Sequence, residues 1–452
     1  MRIHPHDLLL QELATASPYI RKRCLEHLNE CPDCRDKLGI LLRSQPNAQM
    51  DRVLPFGRGE TLPANYNPAI ERATRLLSFI EDFYEKERAE APGLYADLTQ
   101  YPVGRRTLLV RNCRRFHTWG FCEVLLSRSQ EQNFQEPALG ESLALLAVEV
   151  LDYLEPSVYG SEPLEDLRAR AWAYVGNSRR IKADLQGAEE AFTFAFSFLR
   201  LGTGEPMERA LLLDLNASLL TKQRRFSRAL SHLRRSVAIF LELGERHRAG
   251  RALVKMSSVH AVAGEPEKAI FLLHQALRLI DPAREPRLLL IAWSNLIDDL
   301  TETGQFMEAQ KLLVKVGPLY RKFPQPWFKN ARTWIEGKIA RGLGQAEQAE
   351  SLLLMARDGF LFADAAYDTA LVSLDLASLY AQQGRTAELK RLSEEMLPIF
   401  SSRQIHREAL AALDYWRQAV EAEQACTALV AKVAAFLHEA RHNPELRFQR
   451  PE

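Results

Sequence analysis

Along most of this chain, apolar residues recur at three- and four-residue intervals, the spacing of one face of an α-helix. Between 286 and 302, for example, Leu288, Ile291, Ala292, Leu296 and Leu300 form one stripe, and Gly304 follows it. Glycine suits a helix C-terminus because it enters the left-handed conformation without a Cβ clash. Four glycines stand at equal steps, Gly264, Gly304, Gly344 and Gly384, and Ala269, Ala309 and Ala349 follow the first three at a constant distance. One step upstream the series continues through Arg224 and Ala229, with the glycine replaced. A further unit, spaced slightly shorter, is expected to end its first helix near Gln186, with Ala191 at the matching alanine position.

Each unit predicts two helices. The second begins within three residues of the glycine, as in GEPEKAIFLLHQAL, where Pro266 suits a first helical turn. Seven residues before the glycine the side chain is small, Ala217, Ser257, Gly337 and Ala377, with Ile297 as the exception. Small residues there let the paired helices approach closely. The pattern G-x-x-x-x-A, with a small residue seven before it and apolar positions between, resembles the tetratricopeptide repeat. Repeats of that family usually run to about 34 residues, so the extra length is expected in loops such as DPAREPR and FPQPWF.

The resemblance covers about residues 165 to 400. It implies an all-α chain, a right-handed α-solenoid of tetratricopeptide-like helix pairs, with the repeats over 161–402. Residues 67–160 also predict helices, as degenerate repeats opening on Asn67 and Pro68 as N-cap and first turn. Residues 403–452 predict capping helices.

First helices line the concave face of such a solenoid, so their non-core positions are the natural partner surface. The spacing places Asp214, Ser218, Arg251, Ser258, Ser294, Asp298, Trp334, Lys338, Arg341 and Ser378 there. This lining is polar and mixed in sign. Asn295 and Lys255 lie near it, but the concentrated Lys/Arg/Asn set with which some tetratricopeptide domains grip a terminal carboxylate is not assembled.

Composition narrows the function. The formal net charge is +1, which gives no general attraction to nucleic acid or membrane. The most apolar stretch, around Leu143 to Leu154, is interrupted by Glu149 and Asp152. With no signal-peptide pattern in MRIHPHDLLLQEL, the expectation is a cytoplasmic bacterial protein. The one basic-aromatic stretch contains Arg105, Arg106, Arg111, Arg114, Arg115 and His117 beside Phe116 and Trp119. It reads as a helix turning Leu108, Leu109, Phe116 and Trp119 to the core while its arginines pair with acids. Cys113, Cys122 and Cys426 read as buried apolar residues. Phosphate loops, dinucleotide fingerprints and nucleophile elbows are absent from the sequence, so no enzyme is expected.

The sharpest chemical signal is His27-Leu-Asn-Glu-Cys31-Pro-Asp-Cys34. Helical spacing puts His27 and Cys31 on one face, and the C-x-x-C turn can aim both thiolates at one ion. Sulfur and imidazole are what tetrahedral Zn2+ takes, and such a site can hold a domain too small to build its own core. His4, His6 and Cys24 are candidates for the fourth ligand. Cys24 lies about 10 Å from Cys31 along a helix axis, against about 4 Å between thiolates on one zinc. His4 is therefore favoured, with His6 or Cys24 as alternatives. Over residues 4–42 this pattern resembles the zinc-binding anti-sigma domain, which implies a sigma factor or another transcription protein as partner. The expected organisation is a zinc finger over 1–44, a Pro- and Gly-bearing linker over 45–66, and the helical array. Its expected role is a protein-protein interaction adaptor or regulator. The rival readings are a general scaffold with a purely structural zinc, and a zinc-thiol redox sensor.

Overall fold

The computed structural model describes residues 67–133, 136–401, 413, 416–418, 420, 427–440 and 447–448. The zinc-ligand candidates His4, His6, Cys24, His27, Cys31 and Cys34 lie outside them, as does Cys426. All regular structure among the described residues is helical. The chain forms two compact units, one ending at Leu219 and one beginning at Leu220.

The first unit opens on α1 (Asn67–Thr99), α2 (Val103–Asn112), a short 3-10 turn (Arg114–Phe116), α3 (Trp119–Gln132) and α4 (Pro137–Leu151). A one-turn α5 (Pro156–Tyr159), then α6 (Ser161–Ile181), α7 (Leu185–Leu199) and α8 (Pro206–Lys222) follow. Thr118 caps α3 by accepting a hydrogen bond from Phe121 N, and Asp184 caps α7 through Gly187 N. The core gathers Phe116, Phe121, Leu125, Leu143, Leu151, Leu167 and Phe192. At Gly120 the α3 backbone lies so close to α1 that a Cβ would stand 2.5 Å from the Glu87 carbonyl carbon.

The basic-aromatic segment keeps its core reading in part: it is not the single helix expected, because α2 ends at Asn112 and α3 starts at Trp119, and Arg106 donates to the carbonyls of Tyr101 and Thr99 and not to an acid. Phe116 and Trp119 are buried, Arg111 pairs with Glu149 at 2.7 Å and Arg115 with Asp97 at 2.8 Å. Leu108, expected in the core, is exposed; Leu109 and Val110 supply the apolar side of α2. Cys122 is fully buried, and burial pushes its thiol well above the ordinary range, whereas Cys113 is half-buried.

From α8 onward the sequence period becomes a structural one. First helices α8, α10 (Arg246–Val262), α12 (Pro286–Glu302), α14 (Pro326–Gly342) and α16 (Ala366–Gln382) start at steps of 40 residues. So do second helices α9 (Phe226–Glu242), α11 (Pro266–Leu277), α13 (Phe306–Tyr320), α15 (Ala346–Phe362) and α17 (Thr386–Ser401). The closing helix is α18 (Thr427–Ala440).

Each first helix ends in the same motif. Glu265 N donates to His260 O, Gln305 N to Leu300 O and Gln345 N to Ala340 O, at 2.8 to 2.9 Å. This six-to-one bond needs a left-handed residue just before it. Gly264, Gly304, Gly344 and Gly384 supply it with φ between +67° and +77°. Arg224 takes φ +57° at the same place, so the unit whose glycine is lost keeps the turn. One unit earlier Ala183 does so at φ +65°, three residues before the helix end expected near Gln186. The matched alanines Ala191, Ala229, Ala269, Ala309 and Ala349 are all fully buried.

The extra length falls mostly in helices, not in loops. Helices α8, α9 and α10 each have 17 residues and are separated by three-residue turns. A second left-handed column, Gly204, Gly244 and Asp364, allows these tight returns. Arg284 and Pro324 hold the matching positions in the two remaining units. Proline's ring fixes φ near −65° and forbids that turn. In those two units α11 and α13 stop early, at Leu277 and Tyr320, and DPAREPR and FPQPWF become true loops.

Candidate functional site in the inner groove of the second unit

Successive first helices α10, α12, α14 and α16 touch one another, while successive second helices make no comparable contacts. First helices therefore line the inner face of this unit. Because the period is 40 residues, side chains 40 apart form columns across it. One column reads Ser258, Asp298, Lys338, Ser378, and it changes from neutral to charged only at its centre.

There the Lys338 ammonium is 2.7 Å from Asp298 Oδ1 and 2.6 Å from Glu302 Oε1. The lysine is buried, with its charge 5.7 Å from the centre of the Trp334 ring. The Trp334 indole N–H donates to Asp375 Oδ2 at 2.7 Å, and Arg341 Nη1 donates to Asp375 Oδ1 at 2.8 Å. The cluster thus ties α12 to α14 and α14 to α16. Burial alone would lower the Lys338 pKa, but Asp298 and Glu302 outweigh it and hold the ammonium well above its ordinary value. The same lysine holds Glu302 below the usual carboxylate range against the opposing effect of burial.

Beside this cluster Asp299 is buried, at a position where the other units carry Leu219, Val259, Ile339 and Leu379. Burial, then the charges of Asp298 and Glu302, push its carboxyl up to about 8. His438, from α18, lies within reach of the charges of Lys338, Asp298, Asp375 and Glu302.

Of the other sequence-derived groove residues, Ser258 accepts a hydrogen bond from Asn295 Nδ2 at 3.5 Å, linking α10 to α12. Arg251 pairs with Glu285, which also meets His247 Nε2 at 3.2 Å. Ser294 turns to the second helix of its own pair, 2.7 Å from the Tyr320 hydroxyl. Asp214 and Ser218 belong to the first unit. Asp214 is buried and acts on the charge of Arg180, and the Ser218 hydroxyl donates to the Asp214 carbonyl at 3.4 Å. Sequence reasoning missed Glu302, Asp299, Asp375 and His438. The columns carry a signal for Asp299, the acid in an otherwise apolar set, whereas His438 has no counterpart in any unit.

No helix among the described residues is long and apolar enough to cross a membrane. No protein-family model matches the chain, and no curated protein matches it in sequence. Solved structures do match in fold. A Rap protein complexed with Competence and Sporulation Factor aligns with a TM-score of 0.54 at 12% identity, over 71% of this chain and 87% of that one. Aspartyl phosphate phosphatase F from Bacillus subtilis aligns with a TM-score of 0.50 at 13% identity, over 89% of this chain and 96% of that one. At such identities the likeness concerns the fold. With the repeat geometry, it makes this chain a tetratricopeptide-like helical-repeat protein.

Proposed function

We propose that this chain is a non-enzymatic, protein-binding regulator of the bacterial cytosol. The inner groove of its second unit takes a segment of a partner protein. The observation that carries this is the charged centre of the groove: Lys338, Asp298, Glu302, Arg341 and Asp375 join three first helices beside an indole face. Such a lining offers hydrogen bonds and an aromatic contact to a bound chain, and a repeat array presents it on a rigid concave surface. The complex of the Rap protein with Competence and Sporulation Factor supports a recognition role for this fold.

The N-terminal knuckle, with Zn2+ on His27, Cys31, Cys34 and His4, would dock a second macromolecule, for which the anti-sigma-like pattern makes a sigma factor the candidate. Binding to a sigma factor by wild-type chain, lost in Cys31→Ser, supports that part. Binding that survives deletion of residues 1–60 reduces the knuckle to a staple.

The groove reading is tested with a photo-crosslinking amino acid placed in living cells at Ser258 or Ser378, and at Ser351 on the outer second helices as control. Crosslinked partners from the inner positions, weakened by Lys338→Ala, are the expected result. Equal labelling from Ser351, or none from the inner positions, overturns the reading.

A further inference from the structure

The groove assigned above to a partner already holds a helix of this chain. Helix α18 packs on α16, on the first-helix side. Its Val430, Val433, Leu437 and Ala440 form one buried stripe, and they share an apolar cluster with Leu371, Leu374 and the partly buried Trp334. Its last turn also carries His438 and the half-buried Glu439. His438 lies within reach of the charges of Lys338, Asp298, Asp375 and Glu302, on three neighbouring first helices. Glu439 Oε1 is 2.5 Å from Arg224 Nη2. A helix that only capped the array would cover α16; α18 runs from α16 to the turn after α8.

Two features of this contact run against local preference. Arg224 adopts a left-handed conformation, φ +57°, where four later units have glycine, and that conformation strains any residue with a Cβ. Glu439 places an anion in the last turn of a helix, the end at which the helix dipole disfavours it. Their ion pair offsets both, and the Arg224 guanidinium also lies 4.9 Å from the Phe226 ring centre. The pair thus acts as a latch between the first turn of the unit and its closing helix.

We infer that the inner groove of the second unit is a site for an amphipathic helix with an acidic residue in its last turn, with α18 as its resident occupant. This rests on the groove reading above. A partner helix of the same pattern, apolar at positions matching Val430, Val433, Leu437 and Ala440 and acidic at the position of Glu439, displaces α18 to bind.

The test uses the full chain and a fluorescein-labelled peptide of residues 427–440. Wild-type chain binds it weakly, because α18 competes. Glu439→Arg loosens α18 and leaves Arg224 free to meet the peptide, so affinity rises roughly five- to tenfold. Adding Arg224→Glu restores the latch with reversed charges and sets a like charge against the peptide, returning affinity to the wild-type level or lower. Hydrogen exchange of the α18 amides reads the resident helix independently: faster in Glu439→Arg, restored in the double variant. Equal peptide affinity for all three chains, or no peptide binding with α18 exchange unchanged, overturns the inference. If inner-face crosslinks persist in that event, the groove binds something other than a helix of this kind; if they too are absent, the groove reading itself fails.

Discussion

Lys338 and Asp298 occupy the same position in consecutive repeats, and their charged atoms stand 2.7 Å apart. A column that is otherwise serine becomes an ion pair between adjacent first helices. Glu302, one helical turn beyond Asp298, closes on the same ammonium at 2.6 Å. The lysine is buried while both acids keep access to water, so the groove centre is a positive charge wrapped by two acidic rims.

Removing the cation leaves those acids facing one another beside buried Asp299. Because both acids keep access to water, the cost is their mutual repulsion and the lost packing of the lysine stem, not a stranded buried charge. Lys338→Ala is expected to destabilise the second unit by about 1–2 kcal/mol, and Asp298→Asn by under about 1 kcal/mol because Glu302 still holds the ammonium. Urea titration followed by circular dichroism measures both. Equal costs would mean that the two acids do not share the lysine.

Asp299 makes the stability of this unit depend on pH. Its carboxyl is pushed up to about 8 in the folded chain, against about 3.9 for an ordinary aspartate. The folded state therefore holds a proton that the unfolded state has released across that interval. Stability from this group is full below about pH 4, falls as pH rises towards 8, and is flat beyond. Asp299→Asn should flatten the slope. Asp299→Leu, matching Leu219 and Leu379, should raise stability at pH 8 by about 2 kcal/mol. Urea midpoints from pH 5 to 9 decide it, and an unchanged slope in Asp299→Asn would assign the dependence to other groups.

The repeats were legible because their period repeats a physical demand: a left-handed turn at each helix pair, with a buried alanine and a small residue at all but one each, where Leu389 and Ile297 stand instead. Arg224 was placed correctly without its glycine, since Ala229 kept the register. Loop lengths were not legible in the same way, because helices of the family's usual length push the extra residues of a longer unit into loops. The second column of Gly204 and Gly244 is equally periodic and marks the longer helices. The groove was half legible. Asp298, Trp334, Lys338 and Arg341 follow from repeat position, but Ser294 turns to Tyr320, a choice of side-chain direction that spacing does not encode. The contact of Glu439 with Arg224 depends on where a non-repeating helix folds back, which no periodicity reports.

The left-handed positions give a pair of predictions with opposite sign. Ala183 holds φ +65° at an exposed turn, so Ala183→Gly should stabilise the first unit by about 1 kcal/mol. Gly304 holds φ +75° with open space around it, so Gly304→Ala should cost the second unit about 1 kcal/mol from backbone strain alone. Thermal melting of both variants checks the pair. A gain in Gly304→Ala would show that the entropy of the unfolded chain outweighs strain at this turn.

The zinc reading is settled by metal content. Elemental mass spectrometry of the purified chain should find one zinc, lost in Cys31→Ser and weakened in His4→Ala, since removing one of four ligands opens the tetrahedral site. A larger loss in His6→Ala than in His4→Ala moves the fourth ligand to His6; loss in Cys24→Ser moves it to Cys24. Peroxide treatment separates a structural site from a thiol sensor. A structural site keeps its zinc and reduced thiols, because zinc-bound thiolates in a closed site are shielded by coordination. A sensor releases the ion and forms a disulfide between Cys31 and Cys34, or one including Cys24. Chain purified without chelator and free of metal would remove the zinc site, and with it the reason to look for a sigma factor.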